Sequence, residues 1–79
     1  MRENAGYIIT DSIHIGGTEF VLGVSNSSPM SFVTWECKDG SYYFWGHYTT
    51  DRISAIKDLL ERARLEMKLV KDIKKGDVL

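Results

Sequence analysis

Seven of the nine aromatic residues fall between Phe32 and Tyr48, in two strand-like runs separated by Lys38-Asp39-Gly40-Ser41. An Asp-Gly step between such runs is the strongest short-range hairpin signal, because both residues tolerate the positive φ that a tight turn requires. Closing the hairpin at Asp39-Gly40 pairs Cys37 with Tyr42, Trp35 with Phe44 and Val33 with Gly46 on one face. On the other face Glu36 pairs with Tyr43, Thr34 with Trp45 and Phe32 with His47. Both faces then carry rings. A chain of 79 residues has little else to cover them, since a domain of this size buries only roughly 60–65 % of its unfolded surface.

A first hairpin precedes it. Tyr7 to Ile15 and Thr18 to Val24 are rich in Ile, Val, Thr and Phe, and Gly16-Gly17 between them suits a two-residue turn. Pairing across that turn places Ile13, Ile15, Phe20 and Leu22 on one face and sets His14 opposite Glu19 on the other. Asp11 would then share the apolar face, so a bulge or strand break near Thr10-Asp11-Ser12 is expected to turn its carboxylate outward. Ser25-Asn26-Ser27-Ser28-Pro29 reads as the loop joining the hairpins.

After Tyr48 the period changes. Ile53, Ile56, Leu60, Ala63, Met67 and Val70 recur at spacings of three and four, one face of an amphipathic helix. Thr49, Thr50 or Asp51 can cap it, Lys68, Lys71, Lys74 and Lys75 suit the negative end of its dipole, and Gly76 can stop it. Asp58 and Arg62 are four apart in the order that favours an ion pair. Leu65 and Leu69 point away from the apolar face, either as scattered exposed leucines or as a stripe for self-association.

The expected architecture is therefore α+β: a four-stranded antiparallel sheet of two hairpins packed on one C-terminal α-helix. Residues 1–6 read as a flexible N-terminus, 7–48 as the sheet, 50–70 as the helix and 71–79 as a basic tail. With the helix on one face, the other is expected to stay open and display His14, Glu19, Val21, Thr34, Glu36, Tyr43, Trp45 and His47. That mixture of aromatic and polar side chains suits a recognition patch. If the hairpins curl on each other, Tyr43 and Trp45 become core instead.

Ten basic against 11 acidic residues and 43 % hydrophobic content describe an ordinary globular chain. The charge is split, near −3 over residues 1–50 and near +2 over residues 51–79. A single cysteine, no signal-peptide pattern and no apolar run of about 20 residues point to a reducing cytoplasm and away from membranes. In the expected register Cys37 points to the core face and His14 and His47 to the other, so a Cys-His nucleophile pair is not expected. One Cys and two His without short ligand spacing do not suggest a metal site, and no phosphate-binding glycine motif occurs, so no cofactor is expected. The one titratable contact read across the strands is a surface pair, His14 with Glu19.

Tyr42-Tyr43-Phe44-Trp45-Gly46-His47-Tyr48, with Thr50-Asp51-Arg52, Ala55, Asp58-Leu59 and Arg62-Ala63, resembles small uncharacterised proteins encoded by conjugative and other mobile elements of Gram-positive bacteria. The resemblance spans roughly residues 7 to 67. It implies a context of accessory factors, regulators and inhibitors of host defences, and no catalytic site. More distantly, an aromatic-glycine step before a threonine-capped helix is similar to plant AP2-type and integrase amino-terminal DNA-binding domains. Their sheets are Arg-rich, whereas the corresponding strands here carry Glu19, Glu36 and Asp39 against Lys38 alone.

The reading that follows is a non-enzymatic protein-interaction module that binds a protein partner through Tyr43, Trp45, His47, Thr34 and Glu36. The alternative is a single-stranded nucleic-acid-binding or DNA-regulatory protein, stacking bases on the aromatic face and using Lys68, Lys71, Lys74 and Lys75 as a basic edge. A homodimer through Leu65 and Leu69 is a third expectation.

Overall fold

A computed structural model describes the backbone of residues 1–78 and the side chains of residues 1–70. The chain is α+β: an antiparallel sheet followed by one C-terminal helix. The strands are β1 (Glu3–Asn4), β2 (Tyr7–Ile15), β3 (Thr18–Val24), β4 (Phe32–Lys38) and β5 (Tyr42–Thr49), and the helix is α1 (Arg52–Val78). Each strand pairs with its sequence neighbours, in the order β1-β2-β3-β4-β5. The sheet thus has five strands where four were expected. The addition is β1, which pairs Glu3 with Ile8 and Asn4 with Tyr7. Ala5 (φ 52°) and Gly6 (φ 85°) make its turn in the left-handed region.

The first hairpin forms in the expected register, with Ile15 opposite Thr18, His14 opposite Glu19 and Ile13 opposite Phe20. The bulge also falls where Asp11 demanded one, between Ile9 and Asp11, and the carboxylate is exposed. The second hairpin is shifted by one residue. Lys38 pairs with Tyr42, Cys37 with Tyr43 and Glu36 with Phe44. Asp39 (φ 57°) and Gly40 (φ 74°) both occupy the left-handed region and Ser41 donates its N–H to the Lys38 carbonyl at 3.3 Å, so the loop holds three residues and not two. Because side chains alternate along a strand, that single step carries Tyr42 and Phe44 to the face expected for Tyr43.

A second correction concerns how the hairpins join. Phe20 pairs with Glu36 and Leu22 with Thr34, while Val21 pairs with Trp35 and Glu19 with Cys37. The expected core residues of β4 therefore lie on the face opposite Phe20 and Leu22. Two cores result. Under α1, Phe20 and Leu22 pack with Ala55, Leu59 and Ala63, flanked by Ile13, Ile15, Phe32 and Ile56. On the far face Tyr7, Ile9, Val21, Val33, Trp35 and Cys37 form an aromatic cluster with Tyr43 packed against it.

The helix is rotated from the row its spacing suggested, keeping Ile56 and Ala63 of that row on the sheet and adding Ala55 and Leu59. Ala55, Leu59 and Ala63 are buried, with Ile56 at the flank, whereas Ile53, Leu60 and Met67 are 57 %, 55 % and 55 % exposed. Two alanines let the helix approach the rings and branched chains of β3 closely, which long side chains there would prevent. Asp51 caps it, accepting from the Ser54 N–H at 2.8 Å and the Ser54 hydroxyl at 2.7 Å. The helix also runs past the expected end at Val70 and through Gly76; a lone glycine lowers helix propensity by about 1 kcal/mol without ending a helix. No helix among the described residues is long and apolar enough to cross a membrane.

Candidate functional site

The outer strand β5 presents the most unusual local chemistry. Between Thr34 and Glu36 of β4 the register with β5 shifts, and Trp45 is the extra residue, held at φ 53°. Left-handed backbone costs an L-residue on the order of 1–2 kcal/mol and is rare for bulky side chains. Gly46 explains what the bulge accomplishes. A Cβ at that position would lie 2.7 Å from Trp35 Nε1 and 2.8 Å from Tyr48 Cε1, so the backbone itself rests on the Trp35 ring. Lowering Gly46 onto the far-face core turns Trp45 outward, where its side chain is 70 % exposed.

Two more rings continue the surface. Phe44 meets Trp45 edge to face, with centroids 4.9 Å apart and planes at 77°, and Tyr42 lies 5.2 Å from Phe44. Tyr42 is exposed and Phe44 half-buried. Beside them an open groove of about 350 Å³ is lined by Gly17, Thr18, Glu36, Cys37, Lys38, Phe44 and Trp45. The site therefore offers rigid apolar edges with one cation and one carboxylate at its margin.

Next to it, on the far face, Arg2 forks onto Glu19, Nη1 to Oε1 at 3.0 Å and Nη2 to Oε2 at 2.6 Å. Arg2 also reaches the Gly40 carbonyl at 3.4 Å and Cys37 Sγ at 3.8 Å. Ser12 donates a further short hydrogen bond to Glu19. The Arg2 hydrogen bonds hold the Glu19 carboxyl down at about 2, against the cost of burial. Burial, reinforced by the neighbouring Glu19 charge, pushes the Cys37 thiol up. A carboxylate so held is a weak proton acceptor, and a thiol so held stays protonated and weakly nucleophilic.

The five residues expected on one open face are separated. Thr34 is fully buried beneath α1, donating to Asp58 and accepting from Arg62 Nη1 at 3.1 Å. His47 lies on the same side and contacts Asp58 through Nδ1 at 2.9 Å. Glu36 shares that side, half-buried and paired with Phe44. Tyr43 sits on the opposite face, 5.6 Å from the Trp35 ring. Trp45 stands out in the bulge, its ring largely in solvent and in edge-to-face contact with Phe44. The expected Asp58–Arg62 pair is replaced by two contacts that bracket Thr34. The expected His14–Glu19 contact exists at 3.8 Å but is secondary to Arg2.

Leu65 and Leu69 are exposed, as is Lys68; Lys71, Lys74 and Lys75 lie outside the described side chains. Tyr42 and Phe44 were missed because the turn was read as two residues. Arg2 was missed because nothing in a six-residue polar start marks which acid it will meet. The fold and this surface define a small α+β domain, a five-stranded antiparallel meander backed by a helix, with rings displayed on its outer strand. Compared with protein-family models, curated proteins and solved structures, the chain finds no match.

Proposed function

We propose that this protein is a non-enzymatic interaction module that binds a protein partner through the aromatic edge of β5, with Trp45 as its anchor and Phe44 and Tyr42 beside it. The observation that carries this reading is the bulge: a tryptophan is kept in an unfavourable backbone conformation with its indole in water. Strain of this kind persists where the surroundings over-determine it, and it clusters at binding sites. Trp and Tyr are apt anchors because each brings large rigid area with a polar tip. Glu36 and Lys38 supply a polar margin. Among the roles that the resemblance to mobile-element proteins implies, an accessory factor or an inhibitor of a host protein is served by such a surface.

Trp45→Asn tests it, because asparagine accepts the left-handed backbone and removes the ring. The variant should keep its stability to within about 1 kcal/mol and lose a nuclease-resistant partner captured from host lysate. Undiminished capture by a folded Trp45→Asn chain would refute the assignment. Capture that is nuclease-sensitive and falls steeply with salt would transfer it to nucleic acid.

A further inference from the structure

On the other side of the molecule β2 has an unpaired outer edge. β1 covers only Tyr7 and Ile8, and the Ile9 N–H is taken by the Arg2 carbonyl at 2.9 Å. From the bulge to the Gly16-Gly17 turn, among the described residues, Asp11 to Ile15 pair on one side only, with β3. A strand edge with one row of free N–H and C=O groups is a template for another strand. Above it runs the exposed helix row Ile53, Leu60 and Met67, spaced by seven. Between edge and row lies an open groove of about 280 Å³, lined by Asp11, Ser12, Ile13 and Leu22 from the sheet and by Arg52, Ile56, Leu59 and Leu60 from α1.

We infer that the occupant of this side is a second copy of the chain, joined about a two-fold axis that pairs β2 with β2 and packs α1 against α1. Three features fit a self-complementary contact. The regular part of β2 has five residues centred on Ile13. Antiparallel pairing about that centre sets Ile13 against Ile13, Ser12 against His14 and Asp11 against Ile15, which keeps Ile13 and Ile15 on the helix side in both copies. The helix row is likewise symmetric, with Ile53 and Met67 each seven residues from Leu60. Ile13 and Leu60 line one groove, so the axis that brings Ile13 to its mate brings Leu60 to its mate and Ile53 to Met67. An isologous contact requires this coincidence of centres, and an unrelated partner does not.

The size fits a weak dimer. From Ile53 to Val70 the helix is about 27 Å long, and about one third of the circumference of its 10–12 Å-wide cylinder faces this way, about 300 Å². With a strand edge of about 17 Å below, each copy offers on the order of 500 Å², near the roughly 1,000 Å² total at which specific interfaces begin. The net charge of −1 per copy adds little repulsion.

Sedimentation velocity from about 5 to 500 µM should show a reversible dimer with a dissociation constant in the micromolar range. Leu60→Lys should raise that constant at least tenfold, with Met67→Lys as the second variant should the first fail to fold. Leu65→Lys, across the helix, should leave it unchanged. Hydrogen exchange at the Ser12 and His14 amides, which face the free edge, should slow with concentration. A monomer at 500 µM, a dimer indifferent to both lysine variants on the Leu60 row, or one abolished by Leu65→Lys alone would overturn the proposal.

Discussion

The two faces of the sheet are closed by different means. The helix face is covered by a separate element, seated on Ala55, Leu59 and Ala63 and tied by a polar seam in which Thr34 meets Asp58 and Arg62. The far face is covered largely by its own rings. Tyr7 meets Trp35 edge to face at 5.6 Å, Tyr43 lies 5.6 Å from Trp35, and Tyr48 closes the other flank at 6.2 Å. The Tyr7 hydroxyl donates to the Met30 carbonyl at 2.6 Å and so fastens the β3–β4 loop over one end. A small chain can thus maintain two cores when one is aromatic, because each ring covers much area without needing another layer.

Removing the centre of the far face is the most severe way to break this arrangement. Trp35→Ala should cost about 3–5 kcal/mol, a large part of the stability of so small a domain. Chemical denaturation should show a largely unfolded population. A loss below about 1 kcal/mol would mean that the rings around it carry no core.

Acid should loosen the same face more mildly. The folded-state pKa of Glu19 lies near 2, below its ordinary 4.5, so the stabilisation is complete above about pH 4.5 and is lost as pH falls toward 2. Arg2 is 37 % exposed, and solvent screening reduces the effect to about 1–2 kcal/mol. Arg2→Ala should remove most of this acid dependence. An unchanged pH profile would separate Arg2 from the far-face core.

Thr34→Val gives the smallest effect and sharpens the other side of the comparison. It keeps the shape and deletes the hydroxyl that Asp58 and Arg62 share, for a loss of about 1 kcal/mol. Faster exchange should appear in the helix amides while the far-face signals stay unchanged. Equal loosening of both faces would show that the two cores unfold as one.

Legibility followed how far each connection restricts its own geometry, and the two-residue strand β1 left too little pattern to read. Gly16-Gly17 allows one hairpin geometry, so the pairing of Ile13 with Phe20 and of His14 with Glu19 could be read directly, and an acid on an apolar face marked the Asp11 bulge. Asp39-Gly40 suits two-residue and three-residue turns alike, since Asp and Gly both accept left-handed backbone and Ser41 can close the longer loop. The Ser25–Ser31 connection imposes no register, and β4 has large side chains on one face and Phe32 on the other. Only packing decides which meets the helix: Thr34 and Glu36 lie where Asp58 and Arg62 can meet them. The open aromatic site was therefore legible as a cluster and as Trp45, but not as a face. The helix row was read only in part: Ile56 and Ala63 face the sheet as expected, but the close approach there is set by Ala55 beside Leu59, which the stripe of larger side chains did not include.

The sequential strand order also has a kinetic meaning. β1 and β2 are joined by two residues, β2 and β3 by two, β3 and β4 by seven and β4 and β5 by three, so each pairing closes only a short loop of chain and little entropy stands before any one of them. Such a sheet can grow hairpin by hairpin, with low contact order and a correspondingly rapid search. The hydrogen bonds from Arg2 to Glu19 and Gly40 reach across up to 38 residues and need β1 to β4 in register. Together they are a latch: its geometry is met only when the strands between its partners are correctly placed.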